Sequence, residues 1–188
     1  MRILITILGV TLIASCDQKI KTEYYPDGNT RSRGYYVNGS KIGLWKMYNQ
    51  FGDLNERLFY QNDSLILKET LIEGKINSKQ EIKDQKRHGL LVTYFDNGQI
   101  STIATYEKGV QQGSVVAYHE NGNVNVVSAI KDGIPFGPFI QFHPNGIIHV
   151  YAKESGNSVY EIYDQDGIKE YSILYEAFEE VDTLYSRY

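Results

Sequence analysis

Hydrophobic and polar positions along this chain recur in short runs divided by glycine turns. "YFDNGQI" (94–100), "YHENGNV" (118–124) and "FHPNGII" (142–148) place Gly98, Gly122 and Gly146 24 residues apart. The register extends to Gly28, Gly52 and Gly74 upstream and Gly167 downstream, with intervals of 24, 22, 24, 24, 24 and 21. Four residues before each glycine stand Tyr24, Tyr48, Thr70, Tyr94, Tyr118, Phe142 and Tyr163. Two residues after it stand Thr30, Leu54, Ile76, Ile100, Val124, Ile148 and Lys169, and eight after it Tyr36, Tyr60, Ile82, Tyr106, Ile130, Glu154 and Tyr175. A fixed period in this range marks a repeat architecture.

The period resolves into β-hairpins. Segments between the glycines are rich in Tyr, Val, Ile and Thr, which suit a pleated, half-buried surface. The pairs "PD", "DN", "EN", "PN" and "QD" precede the glycines, and Asn or Asp followed by Gly is a strong hairpin signal because both accept positive φ. Columns two and eight after the glycine differ by an even number, which predicts that they share one face of a strand. Links such as "NGSKIGLW", "KGVQQGSV" and "DGIPFGPF" carry Gly39/Gly43, Gly109/Gly113 and Gly133/Gly137 and read as return turns to the next hairpin. Pro26 and Pro144 fall in tips, Pro135 in a return link and Pro138 at the opening of a strand, so no proline is expected mid-strand.

"GLWKMYNQFG" (43–52) resembles the variant MORN repeat (membrane occupation and recognition nexus), and "GLLVTYFDNG", "GSVVAYHENG" and "GPFIQFHPNG" are further copies. Only the first keeps the tryptophan, Trp45; Leu91, Val115 and Phe139 replace it, and the unit over 62–88 is degenerate. The resemblance implies an all-β, elongated single-layer sheet of about seven hairpins over 24–175, with an aromatic-lined face. At about 4.8 Å per strand such a rod extends roughly 65 Å. The remaining 176–188 form a cap or tail, whose acidic residues at 176–182 allow a short helix.

The amino terminus does not fit the period. "MRILITILGVTLIASC" has one basic residue and an apolar run of about a dozen residues, too short to span a hydrocarbon core of about 30 Å and of the size of a secretory signal. The ending "IASC" resembles the lipobox of bacterial lipoproteins, which implies cleavage after Ser15, diacylation of Cys16, and a short linker over 16–23. Two acyl chains suffice for stable membrane attachment. Cys16 is the only cysteine, so no disulfide framework exists. Loss of Arg2 takes the formal charge from −4 to −5, which argues against nucleic-acid binding.

Candidate chemistry is sparse. His119 and His143 share one column, but equivalent positions in adjacent hairpins lie about 9.6 Å apart, too far for one metal; exposed near-tip positions are the expectation. Acidic residues near the tips serve the turns, and no nucleophile elbow, P-loop or metal-binding helix motif appears. "KQEIKDQKRHG" (79–89) is the densest basic stretch and reads as a solvated link. No cofactor, metal or catalytic residue is expected. The candidate binding residues are the aromatic columns: Tyr48, Tyr94, Tyr118 and Phe142, then Tyr36, Tyr60 and Tyr106, with Trp45. Tyrosine is apolar in body and polar at its tip, which favours contacts. The resulting expectation is a lipid-anchored cell-envelope protein acting as a non-catalytic scaffold, its partner another protein or a second copy. The alternatives are an antitoxin-like immunity lipoprotein, or glycan or lipid-headgroup binding along the tyrosines.

Overall fold

A computed structural model describes residues 18–154, 158–176 and 179–185. The leader over 1–15 and Cys16 lie outside them. Fifteen strands form one sheet in sequence order: β1 (Gln18–Tyr24), β2 (Thr30–Val37), β3 (Ser40–Tyr48), β4 (Leu54–Gln61), β5 (Ser64–Ile72), β6 (Lys75–Lys83), β7 (Lys86–Tyr94), β8 (Ile100–Glu107), β9 (Val110–Tyr118), β10 (Val124–Lys131), β11 (Ile134–Phe142), β12 (Ile148–Ala152), β13 (Ser158–Tyr163), β14 (Lys169–Glu176) and β15 (Glu179–Tyr185). Each strand pairs antiparallel with its sequence neighbours and packs on them alone. The seven expected hairpins occupy β1 to β14. The helix expected in the tail is absent: residues 179–185 form β15, paired with β14, where Val181, Thr183, Leu184 and Tyr185 favour a strand. The sheet also begins at Gln18, inside the stretch read as linker.

Two kinds of turn alternate. At six of the seven tips the chain closes as in Tyr118–Val124, where the Gly122 N–H donates to the His119 carbonyl and the His119 N–H to the Asn123 carbonyl. There only the glycine takes positive φ, 87° at Gly122, and Asn121 instead accepts from the Asn123 N–H through Oδ1 at 3.0 Å. The paired positive φ expected of Asn-Gly is found in the return turns, as at Asn38 (51°) and Gly39 (84°). The degenerate hairpin differs, turning in two residues, Glu73 and Gly74. Its shorter tip moves the column by one residue, so Leu71, not Thr70, stands opposite Ile76 where an aromatic stands elsewhere.

Bulges decide which columns share a face. Tyr118 pairs with Val124 but its neighbour Ala117 pairs with Val126, leaving Asn125 as an extra residue. Opposed residues share a face and neighbours along a strand alternate, so Val124 and Val126 lie on opposite faces. The same shift recurs at Met47/Tyr48, Thr93/Tyr94 and Gln141/Phe142. The columns two and eight after the tip glycine are therefore separated, and the even-spacing argument fails because the strand between them is not regular. A second register shift lies beside Gly43, Gly89, Gly113 and Gly137, all at positive φ. Pro135 and Pro138 flank the last of these within β11, contrary to expectation; residues 134–138 pair only with β10, so that part of the strand has a free side.

Burial follows from the single layer. The face bearing Trp45 holds most of it, with Trp45 1 % exposed and Ser32, Leu58, Gln80, Ala104 and Ala152 buried. Large side chains on odd strands cover small ones on even strands: Leu91 and Val115 face Ala104, and Phe139 faces Ser128 and Ala152.

Candidate functional site

The candidate aromatics divide between two faces. On the first, Trp45 is edge-on to Tyr36 at 5.2 Å and to Tyr60 at 6.2 Å between ring centroids. Its Nε1 donates to the Tyr35 carbonyl at 3.3 Å, and the Lys41 ammonium lies 4.4 Å from the indole centroid and 5.2 Å from that of Tyr60. Burial pushes the Tyr60 hydroxyl up, with Tyr36 and Glu56 adding to it, so the cluster stays protonated at neutral pH. This is a packed plug more than an open platform. Tyr106 stands apart on the same face, with the Arg87 guanidinium 5.4 Å from its ring.

Tyr48, Tyr94, Tyr118 and Phe142 form a row on the other face, opposite Leu54, Ile100, Val124 and Ile148 respectively. Beside it runs a second row that the tyrosine columns did not reveal. Val92, Ile103, Val116, Val127 and Ile140 stand directly opposite one another across β7 to β11. All five are half-buried. Towards the N-terminus the same row becomes charged: Arg33, Lys46, Arg57, Glu69 and Lys79. The Glu69 carboxylate is buried and held by Arg57 at 3.4 Å and Lys79 at 3.2 Å. The signal was present in the sequence six residues before and five after the tip glycine, columns whose type changes midway along the chain.

The histidines act between repeats. His119 Nε2 meets the Phe142 carbonyl at 2.9 Å and His143 Nε2 the Tyr163 carbonyl at 3.0 Å. Tyr25 makes the equivalent bond to the Tyr48 carbonyl at 2.8 Å. Both histidines are half-buried, not exposed as expected, because each reaches across to the next hairpin. Asn97, Asn121 and Asn145 lace the tips in the same direction, to the carbonyls of Glu120, Pro144 and Gln165. Among the described residues no group of three or more His, Cys, Asp or Glu is placed to hold a metal ion. The basic link over 79–89 spans the β6–β7 return turn, with Lys83, Lys86 and Arg87 exposed.

The family described as MORN repeat variant matches residues 18–38, 41–62 and 87–108. The chain carries variant MORN repeats. The matched segments cover β1–β2, β3–β4 and β7–β8, and skip the degenerate hairpin β5–β6 with its shortened tip. The hairpins β9–β10 and β11–β12 repeat the same tip and return geometry outside the matched segments. No curated protein matches the chain. MORN repeats commonly serve as interaction modules, which agrees with a non-catalytic scaffold.

Proposed function

We propose that this protein is a non-catalytic interaction scaffold, attached to the bacterial envelope by lipid on Cys16, which binds a protein through the tyrosine face of β7 to β12. One observation carries the reading: the unbroken apolar row Val92–Ile103–Val116–Val127–Ile140, flanked by Tyr94, Tyr118 and Phe142, on a sheet with no second layer. A contiguous apolar patch with hydroxyl-tipped aromatics along one border has the make-up of a protein-binding surface. In this reading residues 1–15 are removed as a signal peptide and the acylated Cys16 stands two residues before β1. The apolar half of the face then begins six strands away from the anchor, about 29 Å along the array.

Capture from the native envelope tests the partner. The protein should retain one dominant protein, and the Tyr94→Ala/Tyr118→Ala variant, with its β-sheet spectrum intact, should lose it. Nothing above background would turn the reading towards glycan or lipid headgroups. A captured toxin, with protection in trans, would support the antitoxin-like alternative. Labelling with a palmitate analogue tests the anchor: label present in the natural protein and absent from Cys16→Ser is the expected result.

A further inference from the structure

The two ends of the array differ in charge. Among the described residues β1 and β15 each have one strand neighbour, so each presents an outer edge. In the β1–β2 hairpin Lys19, Lys21, Arg31 and Arg33 outnumber Glu23 and Asp27; in the β14–β15 hairpin Glu170, Glu176, Glu179, Glu180 and Asp182 outnumber Lys169. β1 is an inviting edge in other respects: it contains no proline, and Ile20 and Tyr24 are 53 % and 61 % exposed. Lysines on an edge strand commonly guard it against pairing. That protection works against another basic edge and reverses against an acidic one.

We propose that the ends are complementary and that a second copy of this chain adds its β15 to β1 by strand pairing, forming head-to-tail chains. Like ends repel, β1 against β1 through lysines and β15 against β15 through carboxylates, so only unlike ends join. Such a heterologous contact does not close into a dimer; it propagates. The strand number is odd, so β1 and β15 run in the same direction. Copies in one orientation therefore meet as a parallel pair, and the tyrosine face continues across the junction. Each copy adds fifteen strands, about 72 Å. The inference uses the edges and is separate from what the face binds.

Charge exchange between the edges is the test, by sedimentation of the purified protein over a concentration series. Detergent is kept present so that acyl groups do not associate on their own. The natural protein should give a growing series of species, reduced by salt. Lys19→Glu/Lys21→Glu gives two acidic edges and Glu179→Lys/Glu180→Lys/Asp182→Lys two basic ones, so each alone should lose all species above the monomer. An equimolar mixture restores both junctions and should recover the natural distribution. If either variant loses its β-sheet spectrum, Lys21→Glu and Asp182→Lys singly serve in its place. A natural protein that stays monomeric, one that stops at a dimer, folded variants that still assemble alone, or a mixture that stays monomeric would each overturn the proposal.

Discussion

The indole of Trp45 lies against the Cα of Gly34, and a methyl group built on Gly34 would overlap its Cγ, Cδ2 and Cε2. The ring cannot retreat, being held by Tyr36, Tyr60 and the Tyr35 carbonyl. Gly34→Ala should cost about 2–3 kcal/mol, as overpacking of a tight core does, and Trp45→Ala about 3–5 kcal/mol. In the Trp45→Ala background Gly34→Ala should become neutral or gain about 0.5 kcal/mol, since Ala is preferred to Gly in a strand. A denaturation double-mutant cycle reads this coupling; additive costs would show that the contact is not limiting.

The bulge glycines should separate by surroundings. Gly137 has φ 72° and nothing within 4 Å of an added Cβ, whereas one on Gly113, φ 79°, would lie 2.8 Å from Thr105 Oγ1. That hydroxyl is already committed to the Gln112 carbonyl. Gly137→Ala should cost only the left-handed backbone, about 1–2 kcal/mol, and Gly113→Ala measurably more. Urea midpoints of the two variants compare them directly; equal midpoints would mean that backbone strain alone governs both.

The inter-repeat bond of His119 predicts which replacements survive. His119→Ala strands the Phe142 carbonyl and should cost about 1–2 kcal/mol. His119→Tyr should recover most of that, because Tyr25 already makes this bond in the first repeat. Amide exchange at the β11 tip reports the loss locally, and no recovery with tyrosine would assign the cost to packing.

Stability should fall with acid in two stages. Burial, followed by the neighbouring His143, holds His149 below its ordinary value of 6.5; the two rings stack at 4.3 Å. The native state then binds fewer protons than the unfolded chain, so stability present above pH 6.5 declines as pH drops through the folded value. His149→Asn should remove this stage. The second involves Glu23, lowered by Arg31 and Ser32, and Glu161, lowered by Lys169 and Tyr163. Their contribution is whole above the ordinary value of 4.5 and disappears as pH falls through the lowered ones. Thermal midpoints from pH 8 to about pH 3 for the natural protein and both Lys169→Gln and His149→Asn separate the stages.

Much of the architecture was legible because left-handed backbone leaves a mark that side chains rarely imitate: Gly28, Gly52, Gly74, Gly98, Gly122, Gly146 and Gly167 all sit at positive φ in hairpin turns. Faces were less legible. The extra residue at Asn125 or Asn55 has no distinguishing type, yet it moves every column beyond it to the other side of the sheet. Thr70 held the expected place by count, and a two-residue turn gave that place to Leu71. The aliphatic row escaped notice because its columns hold Arg33, Arg57 and Lys79 before they hold Ile103 and Val127. The proline positions in β11 depended on a partner strand stopping short, a property of β12 that β11 does not record.

Because every strand touches only the strands before and after it in sequence, no contact ties one end of this protein to the other. A hairpin duplicated or excised as a block such as 98–121 would meet the neighbours it meets now, with its direction and faces unchanged. Gene-level gain or loss of such blocks therefore acts as a ruler, graded in steps of two strands or about 9.6 Å, which sets reach without altering the chemistry of what remains.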